Sequence, residues 1–214
     1  MKSGAGLLEN LNLDSFINRL IKSAVEKQNV LLIVQDPFTS YYDAKVVADF
    51  VALTQKLGFN PVVLPFKPNG KVQHIKGFLG RFAKTAKNQA DFLNRMAKLG
   101  LPLVGVDPAI VLSYRDEYKE ILGAERGEFH VVTAHEWLKQ QLDGEILQNA
   151  LKNAQKNDRT FTPQQWYLFP HCTEITAMPN SGKEWQHIFA TFSQQLQVES
   201  VGCCGMAGVF GHET

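Results

Sequence analysis

The chain has 214 residues, 44% of them hydrophobic and 20% charged, with 16 glycines, the profile of one ordinary globular domain or two small ones with a core to bury. Lys and Arg number 22 against 21 Asp and Glu, so bulk charge gives no argument for a nucleic-acid partner or a charged membrane surface. Three cysteines, all in the last quarter of the chain, are too few for a disulfide framework and point to a reducing compartment where thiols do chemistry.

Residues 1–29 read as a helical lead. Met1 to Leu13 has no apolar run of the ~7–15 residues a signal peptide needs, and nowhere do ~18 apolar residues run on, so the expected location is cytoplasmic with no transmembrane segment. Val30-Leu-Leu-Ile-Val34 is a continuous apolar run ended by Asp36-Pro37, which suits a buried parallel strand. Val46, Val47, Phe50, Val51, Leu53, Thr54 and Leu57 recur at helical spacing, and Gly58 closes that helix. Pro61-Val-Val-Leu64 is the next strand. After the turn Pro68-Asn69-Gly70 a long amphipathic helix carries the stripe Ile75, Phe78, Leu79, Phe82, Ala86, Ala90 and Leu93 as far as Gly100. Leu101 to Val106 is a third strand, and Asp107-Pro108 caps a helix reaching about Leu122. This alternation predicts an α/β fold, an open parallel sheet with crossover helices, over residues 30–123.

Residues 124–165 are polar and read as a helical connector. Trp166-Tyr-Leu-Phe169 then begins a second copy of the first pattern, spanning 166–214. Val30–Asp36 aligns with Trp166–Cys172, Val46–Leu57 with Trp185–Leu196, and Pro68-Asn69-Gly70 with Cys203-Cys204-Gly205. The second copy includes a strand at Val198–Val201 and lacks counterparts for the rest of the first. The fold expected is therefore a tandem pseudo-repeat with its second copy incomplete, a section of a longer protein.

Cys172 is expected at one strand end and Cys203-Cys204 just after another. Carboxyl ends of parallel strands share one edge, where ligands gather. Soft thiolates converging there suit an iron–sulfur cluster or zinc. His171 and His212 are possible extra ligands, though single histidines are more often structural, and buried inert thiols are the plain alternative for the cysteines.

Cys172, a gap of 30 residues and Cys203-Cys204-Gly205 resemble the first two elements of the cysteine-rich CCG domain, whose pattern ends in a Cys-x-x-Cys. That domain, usually in tandem, occurs in heterodisulfide reductases, in iron–sulfur subunits of glycolate oxidase and anaerobic glycerol-3-phosphate dehydrogenase, and in lactate-utilisation proteins. The segment from Gly202 to Gly211 is similar to it, as is Ile110–Tyr118. The first copy has Asp36, Pro68-Asn69 and Val106-Asp107-Pro108-Ala109 where the family has cysteines, so Asp36, Pro68, Asn69, Val106 and Ala109 mark positions of a lost cluster. A degenerate copy before an intact one resembles the C-terminal part of fused bacterial FAD-linked oxidases acting on 2-hydroxy acids such as D-lactate or D-2-hydroxyglutarate.

The resemblance implies a cluster on Cys172, Cys203 and Cys204 in the intact enzyme, FAD on another domain, and FAD-linked oxidase and ferredoxin-type domains as partners. No Gly-rich dinucleotide fingerprint is present, so the chain alone is not expected to turn over a hydroxy acid. The alternatives are a metal-free α/β interaction module and, third, a thiol oxidoreductase using Cys203 and Cys204. Lys67, Lys71, Lys76, Arg81, Lys84 and Lys87 crowd a stretch without acids, which suits either a solvated helix face or an anion or partner-docking face.

Overall fold

A continuous apolar strand needs neighbours on both sides, and Val30–Val34 (β1) has them. The computed structural model describes residues 29–156, 162–202 and Gly205, with Ser15, Arg19 and Lys22. In it β1 is buried along its whole length. It lies between β2 (Asn60–Val63) and β3 (Leu103–Gly105), with β4 (Val131–Thr133) outermost, in the order β2-β1-β3-β4 with every pairing parallel. Leu32 faces Val62 on one side and Leu103 on the other.

Alternate residues of β1 feed two cores, as the pleat requires. Val30, Leu32 and Val34 pack with Phe82, Tyr114 and Tyr118, while Leu31 and Ile33 pack with Phe50, Phe59, Val104 and Trp137. The covering helices are α1 (Pro37–Tyr41), α2 (Ala44–Lys56), α3 (Lys71–Ile75), α4 (Leu79–Ala97), α5 (Pro108–Arg115), α6 (Glu117–Leu122), α7 (Ala134–Gln141) and α8 (Glu145–Lys156). This is the parallel α/β sheet with crossover helices that the alternation predicts.

Three local expectations need correction. The long helix after Gly70 is two helices, because Gly77 adopts φ 75° between α3 and α4, and Phe78 of the expected stripe is 51% exposed. The helix to Leu122 breaks at Asp116. Most consequentially, the connector of residues 124–165 contains β4. Three residues are too few to show a strand period in the sequence.

The start of α7 is fixed by a capping box: Thr133 accepts from the Glu136 N–H, and Glu136 accepts from the Thr133 N–H. Glu136 also takes a forked bond from Arg115 at 3.0 and 2.5 Å, while the same guanidinium donates to the Val131 carbonyl at 3.0 Å. Burial pushes the Glu136 carboxyl up, but the bonds from Arg115 and Thr133 outweigh it and hold it at about 2. A depressed carboxylate contributes stability that is full above its unfolded value near 4.5 and is lost as pH falls toward about 2. Acid titration of thermal unfolding is expected to show this loss, up to about 3 kcal/mol. Arg115→Gln should flatten it, and an unchanged profile in that variant would refute the assignment.

The second unit consists of β5 (Gln165–Leu168), α9 (Cys172–Ala177), α10 (Ser181–Thr191) and β6 (Gln195–Val198), with β5 and β6 parallel. Element by element it repeats β1, α1, α2 and β2 at an offset of 135 residues, Val30 matching Gln165 and Asn60 matching Gln195. Backbone specials repeat as well. Gly58 (φ 90°) matches Ser193 (φ 57°), and Gly70 (φ 81°) matches Gly205 (φ 76°). The strand expected at Val198–Val201 lies at Gln195–Val198, where Gln and apolar residues alternate as in a half-exposed strand.

Candidate functional site

In an open parallel sheet ligands collect at the carboxyl ends of strands, where the chain order reverses. Here the reversal lies between β1 and β3, since the chain leaves β1 toward β2 and returns to lay β3 on the opposite side. Asp36 follows β1 and Asp107 follows β3, so both border this crevice. Each is a helix cap. Asp36 accepts from Phe38 N at 2.8 Å and Thr39 N at 3.0 Å, and from the Thr39 hydroxyl. Asp107 accepts from Ile110 N at 3.1 Å.

Burial raises the Asp36 carboxyl above its ordinary value, the Thr39 bonds oppose this, and the nearby Asp107 charge adds to it. Asn69 is buried beside them, its Oδ1 accepting from Lys71 N at 2.9 Å and its carbonyl from the Tyr118 hydroxyl at 2.6 Å. The Asn69 Nδ2 has no hydrogen-bond partner among the described residues. Pro68 is exposed, and Val106 and Ala109 are half-buried. Polar caps thus occupy the edge where the resemblance puts lost ligands.

Cys172 is half-buried and is not at a strand end. It opens α9, four residues after β5, with His171 as the cap: its Nδ1 accepts from Thr173 N at 3.3 Å. The offset of 135 therefore pairs Cys172 with Pro37 and His171 with Asp36, a correction of one residue to the alignment of Asp36 with Cys172. The thiol borders a cleft of about 310 Å³ between the units. Lys71, Ala109, Ser113 and Glu117 line it from the first unit, and Thr173 and Thr176 from the second. Cys203, Cys204 and His212 lie outside the described residues. Among the described residues no three His, Cys, Asp or Glu side chains form a group able to hold a metal.

The cationic residues have different surroundings. Lys71 is ion-paired to Glu117 with only 14% of its side chain exposed, and it lines the cleft. Lys67 lies over the Phe92 ring at 5.3 Å, Arg81 over Phe78 at 5.6 Å, and Lys87 pairs with Asp91 at 2.5 Å. Lys76 and Lys84 are exposed.

Sequence reasoning missed a polar group at the contact between units: buried His135 on α7 and Glu174 on α9, with half-buried Glu184 on α10. The signal that marked the place was Thr133-x-x-Glu136, a capping pattern that fixes a helix start two residues before His135.

The chain is similar to proteins called D-2-hydroxyglutarate dehydrogenase in Haemophilus influenzae (75% identical over 191 residues), Escherichia coli (61% over 191) and Pseudomonas putida (37% over 188). These alignments cover 88 to 89% of this chain and 17 to 18% of each relative. The chain thus spans less than a fifth of the length of the curated relatives it matches. No family model matches it, and no solved structure does. Among the described residues no helix is long and apolar enough to cross a membrane.

Proposed function

We propose that this chain is the CCG-type iron–sulfur section of a longer FAD-linked dehydrogenase that oxidises a 2-hydroxy acid, D-2-hydroxyglutarate by the names of its relatives. The observation that carries the reading is the similarity to those dehydrogenases over 89% of the chain. Two structural features support the electron-transfer role. Cys172 lines a cleft whose wall includes the small side chains of Ala109, Ser113, Thr173 and Thr176 beside the larger Lys71, Leu112 and Glu117. Gly205 takes a left-handed φ of 76° directly after Cys203-Cys204, a turn that glycine makes without strain.

Cys172, Cys203 and Cys204 would hold the cluster, with His171, His212, a solvent molecule or a residue elsewhere in the longer protein as the remaining ligand. A bound iron–sulfur cluster supplies one-electron transfer, which suits re-oxidation of a two-electron flavin on a neighbouring domain. The chain's own part is to position the thiolates, and α9 does this for Cys172. The ferredoxin-type and FAD-linked domains are the partners this role needs, and residues 166–214 form the ligand-bearing repeat beside the cysteine-free repeat of residues 30–123.

The second reading is a metal-free module that packs against other domains. It draws on Trp166 (47% exposed), Tyr167 (57%) and Phe169 (64%), an aromatic run on and just after β5.

Iron, zinc and acid-labile sulfide per chain, measured on protein purified without oxygen together with its visible spectrum, separate the two. Iron with equimolar sulfide is the expected result for the protein expressed from its whole reading frame. Zinc without sulfide would replace the cluster by a zinc site, and a metal-free product would favour the packing module.

A further inference from the structure

The repeat lets backbone bonds of the first unit be matched with their counterparts in the second. Asn60 N donates to Asn29 O at 2.9 Å, and Gln195 N to Gln164 O at 3.0 Å. Leu64 N donates to Ile33 O and Glu199 N to Leu168 O, both at 2.9 Å. The pairing of β1 with β2 is thus copied in register by β5 with β6. The other edge of β1 is not copied. Leu32 N donates to Pro102 O, just before β3, at 2.8 Å. Tyr167, the counterpart of Leu32, has no strand on that side among the described residues.

One face of β5 is left over in the same way. Val30, Leu32 and Val34 pack with Phe82, Ala86, Ala90 and Leu93 of α4. By alternation along the strand their counterparts Gln165, Tyr167 and Phe169 share one face. Leu32 and Val34 are buried, whereas Tyr167 and Phe169 are 57% and 64% exposed. The opposite face is served: Trp166 meets the Phe189 ring of α10 at 6.3 Å, as Leu31 packs with Phe50 of α2. An open strand edge is a template for another strand, and natural edges are commonly guarded by charge. The strand Gln165-Trp-Tyr-Leu168 carries none.

We propose that β5 is an inner strand of the longer protein. Its open edge and its Tyr167 face take up a parallel strand and a helix of the same polypeptide, the counterparts of β3 and α4. A parallel strand needs a crossover to reach that edge, and the helix supplies it. In the first unit β3 opens about 33 residues after Gly70, and Gly205 repeats Gly70, so the partner strand is expected at the same interval past Gly205, accepting from Tyr167 N. The relatives are several times longer than the part this chain matches, which leaves length for such a segment. The inference stands on the repeat and asks nothing of the metal.

Amide hydrogen exchange read at single residues, on the protein from its whole reading frame and on the 214-residue chain, tests this pairing. In the whole protein the Tyr167 N–H should exchange within about tenfold of the Leu32 N–H, and at least about a hundredfold more slowly than in the 214-residue chain, at every protein concentration. Hydroxyl-radical footprinting reads the face: modification of Tyr167 and Phe169 in the whole protein should fall to the level of buried Tyr114. A Tyr167 N–H that exchanges freely in the whole protein while the Glu199 N–H is protected overturns the proposal. So does modification of both rings in the whole protein equal to that in the 214-residue chain. Protection of Tyr167 that grows with the concentration of the 214-residue chain overturns it too, because a second copy then occupies the edge.

Discussion

Serine at Cys203 or Cys204 is expected to reduce the iron of the anaerobically purified protein to background, a loss of at least about tenfold per chain. A thiolate is a soft, readily deprotonated ligand, whereas a serine hydroxyl is hard and stays protonated at neutral pH. Cys172→Ser is the informative companion, because its local surroundings are known. The residue is half-buried in the first turn of α9, where serine is well tolerated and replaces sulfur with a smaller oxygen. Its melting temperature should therefore stay within about 2 °C of the parent, a change typical of surface sites. Iron retained in full by all three variants would mean that the thiols are bystanders.

The second large effect is structural. Among the described residues Trp137 is the largest fully buried side chain, 1% exposed, with edge-on contacts to Phe59 at 4.8 Å and Phe50 at 6.1 Å. It ties α7 to α2 and to the Phe59 turn before β2 across the sheet face formed by Leu31 and Ile33. Truncation to alanine removes this contact area and leaves a cavity the sheet cannot close, which costs about 3–5 kcal/mol. For a chain of this length a loss of that size lowers the melting temperature by roughly 10 °C or more. A thermal melt that moves by less than about 3 °C would show the second core to be held elsewhere.

These two outcomes sit at opposite ends of what could be read from the residues. The central strand was legible because Val30-Leu-Leu-Ile-Val34 is apolar at every position, and only burial on both faces explains that. The repeat was legible in outline because Trp166 to Leu168 restarts the same order of elements. Its register was not, since Gln165, the first residue of β5, is polar, so the apolar run marks the strand start one residue late, at Trp166. The strand Val131-Val132-Thr133 was hidden by brevity. Trp137 was hidden by its helix, most of whose other residues, His135-Glu136 and Lys139-Gln140-Gln141, read as surface. Lys71 shows the converse: one cation among several suggests a charged face, and the sequence does not reveal that its side chain is 14% exposed and paired with Glu117.

The strand order also dictates how the chain can reach this state. The β1–β2 pairing joins Leu32 to Val62 and the β3–β4 pairing joins Leu103 to Val131, each across about thirty residues, whereas the β1–β3 pairing joins Leu32 to Leu103. Long loops are slow to close, so the two halves of the sheet should form early and their seam late. Until the seam closes, the most apolar five residues of the chain present one bare edge to solvent and to other nascent chains. High protein concentration during refolding should therefore divert material into aggregates at that step, and a charged residue flanking β1 would act as a gatekeeper.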